Sequence, residues 1–345
     1  MVEQFAFTVD VKSVANKQIP CHPEQKMLDA FLRRGEWIPN SCNQGTCGTC
    51  KVKVLSGTVA HPPTPDSVLS YQEQEEGFVL TCQSVPTSDV VIAVPAADKP
   101  SSTGHLLRDM TATVLQMQTT ATDTLTISVG IDEPLEFSAG QYVELAIPGT
   151  NDVRQYSMAN PPSQSNVLEF HIRRQPGGLA TDAWIFDSLT AGDAINLTGP
   201  WGDFVYDDDD DETGMILLAG GTGLAPLKSI ALHALTVNPQ REIHLYHGVR
   251  RSADLYDVEF WESLARNYSG VRYVPCVSRE HWSGRTGYVG DAMLADFDSC
   301  RNYSGYLCGP PAMVDAGVKA FKRKRMSARR IRREKYTPAP ALINA

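Results

Sequence analysis

The hydrophobic pattern changes its period along the chain and predicts a different architecture in each region. Residues 5–11 alternate between apolar and polar positions like a half-buried strand, whereas residues 25–34 have the apolar spacing of a helix. Further strands are indicated at 51–54 and 90–94. This combination predicts a small mixed α/β unit of the β-grasp type over residues 1–97.

Residues 98–108 separate this unit from the next one. They begin with DKPSSTG, which contains Pro and Gly but no large apolar side chain, and this composition predicts a linker. Short strands separated by turns follow through residues 109–208. Several short strands of this kind predict a small antiparallel barrel.

The third region, residues 209–345, has a different rhythm. Residues 215–219 are a continuous apolar strand, as expected where helices cover both faces of a parallel sheet. A glycine-rich turn and a helix follow, and strands at 243–248, 272–277 and 305–308 alternate with helical stretches. This alternation predicts a doubly wound parallel sheet, so the fold class is multidomain, with α+β and α/β parts.

Length and composition exclude several classes of protein. The chain has 345 residues, of which 42% are hydrophobic and 21% charged, a composition typical of globular domains rather than fibrous or disordered chains. Its longest wholly apolar runs, 90–94 and 215–219, are far shorter than the roughly 20 residues of a membrane span. The N-terminus lacks the order of a secretory signal. We therefore expect a cytoplasmic protein that does not bind membranes.

Charge is spread unevenly along the chain. The formal net charge is -9, yet residues 322–335 hold nine Lys and Arg against the single acid Glu334. This basic stripe is either a solvated surface or a docking face for an acidic protein partner, and nucleic-acid binding is not favoured. Six acids run from Asp207 to Glu212, without the spaced ligands and Gly of a calcium loop.

Four of the eight cysteines have a spacing that predicts an iron–sulfur site. Cys42, Cys47 and Cys50 follow the C-x4-C-x2-C pattern, and Cys82 stands alone further on, which is the plant-type arrangement for a 2Fe-2S cluster. The small residues of the loop let the backbone wrap tightly and direct N–H groups at the sulfurs. Structural zinc or free buried thiols are the alternatives, but zinc sites usually pair two short cysteine clips. Residues 1–96 resemble a plant-type ferredoxin domain.

The predicted barrel contains the sequence RQYSMAN at 154–160, followed by HIRRQPGGLAT at 171–181. RQYSMAN resembles the flavin motif of the ferredoxin-NADP reductase superfamily. The resemblance implies that Arg154 contacts the FAD pyrophosphate, that Tyr156 lies against the flavin and that Ser157 sits near its N5. The chemistry agrees, because an arginine fork matches a pyrophosphate and paired glycines let N–H groups approach phosphate oxygens. Further flavin-binding candidates are His171, Arg173, Gly177, Gly178 and Thr181. For His171 a packed strand side chain is the alternative.

Two motifs of the third region resemble the nicotinamide side of the same superfamily. GGTGLAP at 220–226 follows a strand and opens a helix, so its glycines allow a pyrophosphate to approach the helix N-terminus. CGPP at 308–311 ends the last predicted strand of the sheet. The tail REKY resembles the superfamily's E-x-aromatic ending, which implies that the ring of Tyr336 shields the flavin. The nucleotide-binding candidates are Gly221, Thr222, Gly223, Gly309 and Pro310, with Cys308 beside the nicotinamide C4.

Nearly the whole chain resembles the reductase components of bacterial multicomponent oxygenases, especially those of phenol hydroxylase and soluble methane monooxygenase. This resemblance implies that electrons pass from NADH through FAD and a 2Fe-2S cluster to a hydroxylase component, for which a diiron protein is favoured. Ser157 and Cys308 are the candidate catalytic residues, because they would hold the donor carbon and the acceptor nitrogen in reacting contact.

Three alternatives remain open at this stage. The acceptor can instead be a Rieske-type aromatic-ring dioxygenase, whose reductases share the same domain order. A non-enzyme alternative is a zinc-bearing interaction module on a degraded flavin fold. Arg250 and Arg251 suit a 2′-phosphate and no obvious acid ends the preceding strand, which favours NADPH. GVRRSADLYD at 248–257 resembles NADH-using reductases, and we favour NADH.

Overall fold

The computed structural model describes residues 7–11, 17–94, 104–207 and 214–336. These residues form two compact units. The first comprises the described residues up to Asp109 together with Thr198–Asp203, and the second comprises Met110–Leu197 and the described residues from Phe204 onward. Most of the predicted linker and of the acidic run at 207–212 lies outside the described residues. The domain boundaries therefore stay predictions, although Arg108, assigned to the linker, already begins a strand.

The first unit is a mixed sheet with two short helices. Its elements are β1 (Phe7–Val11), β2 (Lys17–Cys21), α1 (Met27–Leu32), β3 (Lys51–Ser56), β4 (Val59–Ala60), α2 (Tyr71–Glu75), β5 (Phe78–Leu80), β6 (Val85–Pro86) and β7 (Val90–Ala93). The main sheet has the order β2-β1-β7-β3-β5, in which β1 and β7 are parallel. Met27, Leu28 and Phe31 of α1 are buried in its core. The β-grasp prediction is confirmed, although β2 and β5 were not among the predicted strands.

The antiparallel barrel lies in the middle of the chain. Its strands are β8 (Arg108–Ala121), β9 (Thr124–Ile131), β10 (Tyr142–Ala146), β11 (Val153–Ser157), β12 (Val167–Arg173) and β13 (Ala194–Trp201). They follow the order β11-β10-β13-β8-β9-β12, and a bridge between Met158 and Phe170 joins the two edges. β9 alternates buried and partly buried positions, as a strand with one face on a core should. A π-helical segment, Leu179–Phe186, follows β12 and was not predicted.

The remaining elements form the predicted doubly wound sheet. They are β14 (Gly214–Gly220), α3 (Leu224–Val237), β15 (Ile243–Val249), α4 (Val258–Asn267), β16 (Val271–Val277), β17 (Arg285–Thr286), α5 (Val289–Asp296), β18 (Tyr303–Gly309), α6 (Pro311–Arg323) and β19 (Ile331–Lys335). The sheet order is β17-β16-β15-β14-β18-β19, and all neighbours are parallel. Leu217 of β14 packs into one core with α3 and α4, whereas Ile216 and Leu218 pack into another with α5 and α6. Helices therefore cover both faces, which explains the continuous apolar run.

The strand order reverses at β14, whose neighbours β15 and β18 continue in opposite directions. In such sheets the carboxyl ends of the strands at the reversal form the ligand crevice. The glycine-rich turn 221–223 follows β14 at this edge, and Gly309 ends β18 there. Helix α3 begins at Leu224, and Pro226 fits in its first turn because the N–H that proline lacks would have no partner there. Among the described residues, no helix combines the length and apolarity needed to cross a bilayer.

Candidate functional site

The four predicted cluster ligands lie together in the first unit. Cys42, Cys47 and Cys50 are on the loop between α1 and β3, and Cys82 follows β5. The Sγ atoms of Cys50 and Cys82 are 3.2 Å apart, which is too long for a disulfide bond and suits two ligands of one metal ion. Cys47 is exposed whereas Cys50 and Cys82 are buried. One side of this site therefore faces solvent.

Backbone N–H groups of the cysteine loop point at the sulfurs. The N–H of Thr46 donates to Cys42 Sγ at 3.3 Å, and the N–H of Thr49 lies 3.5 Å from Cys47 Sγ. Gly48 between them has a φ of +76°, a left-handed conformation that glycine adopts at little cost. The tight wrap expected from the small residues is therefore present, and its N–H groups would stabilise negative charge on a bound cluster.

The sulfurs shift one another's pKa in two pairs. The Cys47 thiol donates a hydrogen bond to Cys42 and lowers the pKa of Cys42 to about 4, while the pKa of Cys47 is raised. The same pairing lowers the pKa of Cys50 and raises that of Cys82. Metal ligation replaces such protons with positive charge, because thiolates are the binding form. The donor set fits a 2Fe-2S cluster.

The first flavin-binding candidates lie on β11. Among the described residues, Arg154 makes no ion pair, and its Nη1 donates only to the carbonyl of Val153 at 2.8 Å. Its guanidinium fork is thus available to a pyrophosphate. Tyr156 packs at 6.5 Å between ring centroids from Phe170, and burial raises the pKa of its phenol. Arg154 and Tyr156 precede Ser157 on the same strand.

Internal hydrogen bonds close the turn after β12. The N–H of Gly177 donates to Asp182 Oδ2 at 2.7 Å, and the N–H of Gly178 donates to the carbonyl of Gln175 at 2.8 Å. Thr181 Oγ1 accepts from the N–H of Gln175 at 3.0 Å. In this structure the glycine N–H groups close the turn, and their approach to phosphate oxygens stays a prediction.

His171 is hydrogen-bonded to other groups of the protein, and its assignment as a flavin contact stays a prediction. The side chain is fully buried, with Nε2 at 2.9 Å from Glu169 Oε1 and Nδ1 at 3.0 Å from the hydroxyl of Tyr256. Both ring nitrogens are used inside the protein, so the ring has no polar atom to offer a ligand. Arg173, in contrast, is exposed, and its Nη1 lies 3.9 Å from where a Cβ on Gly221 would stand. Its guanidinium therefore reaches the glycine-rich turn.

Four side chains converge at the edge of the doubly wound sheet, three from the strands β11, β18 and β19 and one, that of Tyr336, directly after β19. Ser157 Oγ donates to Glu334 Oε2 at 3.3 Å and accepts from the hydroxyl of Tyr336 at 3.1 Å. Cys308 Sγ lies 3.6 Å from the same carboxylate oxygen. Burial raises the pKa of Cys308 and of Tyr336 well above their ordinary values, so thiol and phenol keep their protons. Both predicted catalytic residues are thus joined through Glu334.

The glycine-rich turn packs against the end of β18. A Cβ on Gly223 would lie 2.2 Å from the carbonyl oxygen of Cys308, so only glycine fits there. The N–H of Tyr336 donates to the carbonyl of Gly309 at 2.9 Å, which ties the tail to the same edge. The nucleotide-binding candidates therefore lie together: Gly221, Thr222, Gly223, Cys308, Gly309 and Pro310.

The structure draws attention to two acids that the sequence interpretation did not assign, Glu334 at this site and Glu280 near the end of β15. Glu334 stands two residues before Tyr336, and the E-x-aromatic tail was the signal for it. Glu280 accepts from the N–H of Ser252 at 2.7 Å, just beyond the end of β15. The sequence signal for Glu280 was weaker, because Glu280 follows β16, whereas a ribose-binding acid is expected at the end of β15.

Three family models together match most of the chain. Residues 9–87 match the 2Fe-2S iron-sulfur cluster binding domain, residues 111–206 match the oxidoreductase FAD-binding domain, and residues 217–319 match the oxidoreductase NAD-binding domain. The cofactors are therefore a 2Fe-2S cluster, FAD and a nicotinamide nucleotide. The zinc-bearing module considered from the sequence is wrong, because the four cysteines belong to an iron–sulfur domain.

Similar proteins extend these matches over nearly the full length. The chain is 53% identical over 330 residues to the reductase subunit of an aromatic O-demethylase from Amycolatopsis sp., covering 95% of this chain and 98% of that protein. It is 36% identical to the phenol hydroxylase P5 protein of Acinetobacter pittii, covering 93% and 92%. The crystal structure of the Amycolatopsis cytochrome P450 reductase GcoB superposes with a TM-score of 0.92 at 52% identity, covering 96% and 99%. The chain belongs to the family of oxidoreductases that serve as flavin- and iron–sulfur-containing reductase components of multicomponent oxygenases.

Proposed function

We propose that this reductase delivers electrons from NADH to a cytochrome P450 that removes methyl groups from aromatic ethers, within the cytoplasm. The observation that supports this acceptor is the 53% identity, along almost the whole chain, to an aromatic O-demethylase reductase subunit. Identity to the phenol hydroxylase relative is 36% over a similar length. A haem acceptor therefore takes precedence over the diiron and Rieske acceptors considered from the sequence.

The residues divide the work between the two units. Arg154 would hold the FAD pyrophosphate, the turn 221–223 would hold the nucleotide pyrophosphate, and the four cysteines would hold the cluster. When bound, FAD accepts a hydride from the nicotinamide and the 2Fe-2S cluster carries single electrons onward. The protein contributes mainly orientation, since no proton has to be removed from carbon by a base.

The convergent cluster at Ser157 keeps hydrogen-bond donors at the place where flavin and nicotinamide would meet. Tyr336 donates to Ser157, which leaves the Ser157 hydroxyl hydrogen free to turn between Glu334 and a ligand acceptor. Cys308 stays a neutral thiol because it is buried beside Glu334. A neutral, compact thiol next to Gly309 lets the nicotinamide ring approach without an ionised group in its path.

Preference for NADH is supported by carboxylates at the carboxyl end of β15. Glu280 Oε1 accepts from both the N–H and the hydroxyl of Ser252, at 2.7 and 2.5 Å, and these bonds lower the pKa of Glu280. Asp254 Oδ2 lies 3.9 Å from Arg251 Nε and offsets part of its charge. A dinucleotide fold places the adenosine ribose near this edge, where an acid suits a 2′-hydroxyl and repels a 2′-phosphate.

Glu280→Gln should raise kcat/KM for NADPH by about tenfold, equivalent to ~1.4 kcal/mol, because it removes one negative charge near the 2′ position. The amide oxygen can still accept from Ser252, so the loop should keep its shape. Steady-state ferricyanide reduction with each coenzyme measures the ratio. Glu262→Gln, the same change on the exposed side of α4, is the control and should leave the ratio unaltered. An unaltered ratio in Glu280→Gln would exclude Glu280 from coenzyme selection.

The acceptor is tested by mixing the purified holoprotein and NADH with the cytochrome P450 partner of the Amycolatopsis reductase under carbon monoxide. We expect rapid formation of the ferrous carbonyl band and, in air with a methoxybenzene substrate, release of formaldehyde. The hydroxylase component of a phenol hydroxylase serves as the competing acceptor. Reduction of that component alone, with no haem reduction, would contradict the haem acceptor and support a diiron acceptor.

A further inference from the structure

An ammonium group lies between two carboxylates inside the second unit. Lys228 Nζ is 2.9 Å from Glu169 Oε1 and 2.7 Å from Asp257 Oδ2. The Lys228 side chain is only 10% exposed, and its Nζ lies 4.5 Å from the ring centroid of Phe260. A buried ammonium is costly unless it is paired, and here two anions and an aromatic face stabilise it.

The three charged groups belong to different parts of this unit. Glu169 is on β12 of the barrel, Lys228 is on α3, and Asp257 immediately precedes α4. A neutral hydrogen bond beside them, from Ser229 Oγ to the carbonyl of Asn160 at 2.7 Å, also joins α3 to the barrel. The bridge therefore connects the flavin-binding barrel with the helix that begins directly after the glycine-rich turn.

The net electrostatic balance of this bridge favours the charged forms of Glu169 and Lys228. Burial alone would raise the pKa of Glu169, but hydrogen bonding to His171 and the charge of Lys228 outweigh it and lower that pKa to about 2. Burial alone would lower the pKa of Lys228, but the charges of Glu169 and Asp257 raise it above its ordinary value. Removal of the ammonium would therefore leave two facing carboxylates, which repel each other in a poorly hydrated place.

A chain of hydrogen bonds and one edge-on ring contact continues from the bridge to the glycine-rich turn. His171 joins Glu169 to the hydroxyl of Tyr256, whose ring packs edge-on against His247 at 5.3 Å between centroids. His247 Nε2 donates to the carbonyl oxygen of Gly221 at 3.3 Å. Burial lowers the pKa of His247 to about 4, so the ring is neutral and this bond specifies its tautomer.

A metal ion is the other cation that this geometry suggests. Glu169, His171 and Asp257 offer ligand atoms that all lie within 4.8 Å of one another. Lys228 Nζ already contacts both carboxylates at hydrogen-bond distance. The positive charge that the acids require is thus supplied by the chain itself, and its role is to connect elements rather than to bind a metal.

We propose that Lys228 is a positioning residue for hydride transfer, which holds α3 and the turn 221–223 at a set distance from the flavin-binding barrel by bridging Glu169 and Asp257. Hydride transfer needs donor and acceptor atoms in contact, and a misplacement of about 1 Å can cost about 100-fold in rate. Since Lys228 lies five residues beyond Gly223 on a rigid helix, a shift of its anchor moves the turn with it.

The test is Lys228→Met in the full-length holoprotein. Methionine keeps the packing over Phe260 but removes the charge, so the rate of FAD reduction at saturating NADH should fall about 10- to 100-fold while FAD content is unchanged. Stopped-flow flavin absorbance measures the rate. Hydrogen–deuterium exchange, with and without FAD, should show faster uptake at 168–173 and 224–236 and unchanged uptake at 42–50.

Lys228→Arg separates the bridge from simple packing. Its guanidinium can hold both carboxylates, so its rate should stay within about threefold of the natural protein. Arg285→Met, which breaks the ion pair with Asp296 inside the nucleotide-binding part, is the control and should leave both readouts unaltered. A Lys228→Met rate within twofold of the natural one, unchanged exchange, or equal slowing by Arg and Met would each overturn the proposal.

Glu169→Gln provides the same test should Lys228→Met fail to fold. The amide keeps the shape and one hydrogen bond but halves the negative charge around Lys228, so slowing of about tenfold is expected, together with faster exchange at 224–236. An unchanged rate in a folded Glu169→Gln protein would also overturn the proposal.

Discussion

Cys50→Ser is expected to abolish NADH-driven reduction of cytochrome c while NADH-driven reduction of ferricyanide stays largely intact. Cys50 is buried, and its sulfur lies 3.2 Å from that of Cys82, so a shorter, harder serine oxygen cannot replace it as a cluster ligand. Loss of a group that only hydrogen-bonds to a metal ligand lowers metal affinity or activity about 10- to 100-fold. For loss of a ligand itself we expect cytochrome c reduction to fall at least about 100-fold. Ferricyanide accepts electrons directly from flavin, whereas cytochrome c depends on the iron–sulfur unit.

Two measurements make this expectation decisive. Iron and labile sulfide per chain should fall with cytochrome c activity, while FAD content stays at that of the natural protein. Cys21→Ser is the matched control, because Cys21 is equally buried in the same unit and its sulfur donates to the carbonyl of Gln25, a bond that serine can also make. Equal loss of both activities in Cys50→Ser would contradict the division of labour between the two units.

The cluster site was predictable because its information is local. Three ligands fall within nine residues, and the loop between them is fixed by small residues such as Gly48, whose left-handed backbone needs no distant partner. Strand type was predictable for a similar reason, since the unbroken apolar run of β14 reflects burial on both faces. Prediction is harder where the same residue type can serve either of two purposes. The N–H groups of Gly177 and Gly178 close a turn here, and their contact with FAD stays a prediction.

The charged bridge was not predictable from the sequence. Lys228 lies on a helix, where a lysine is usually solvated, and Glu169 lies on a strand between apolar neighbours. Their pairing depends on how barrel and sheet pack within the second unit, which no short pattern encodes. Glu280 was missed for a related reason, because it reaches the end of β15 from the neighbouring strand β16.

Part of the basic stripe is neutralised within the second unit. Arg332 pairs with Asp207, and Lys335 Nζ lies 2.7 Å from Asp315 Oδ1. The net positive field of residues 322–335 is therefore smaller than the sequence count indicates. A docking role for this stripe stays a prediction, and salt dependence of acceptor reduction is its natural measurement.

Ser157→Ala is expected to slow reduction of FAD by NADH about 100-fold, the cost typical of losing one preorganised donor in an active site. The change removes the hydroxyl that accepts from Tyr336 and donates to Glu334. The phenol of Tyr336 then loses that acceptor. Arg154 and Tyr156 are untouched, so FAD should remain bound. Stopped-flow absorbance of the flavin under anaerobic conditions measures the rate, and denatured extracts give the FAD content.

The pattern across acceptors distinguishes a hydride-transfer defect from a general one. Because Ser157→Ala acts before electrons leave the flavin, ferricyanide and cytochrome c activities should fall by the same factor, unlike the split expected for Cys50→Ser. Ser188→Ala is the control, because this hydroxyl donates to backbone carbonyls of the π-helical segment, and it should lower neither activity. A normal rate of flavin reduction in Ser157→Ala would remove this hydroxyl from the mechanism, and the converging contacts of Glu334 would then be structural.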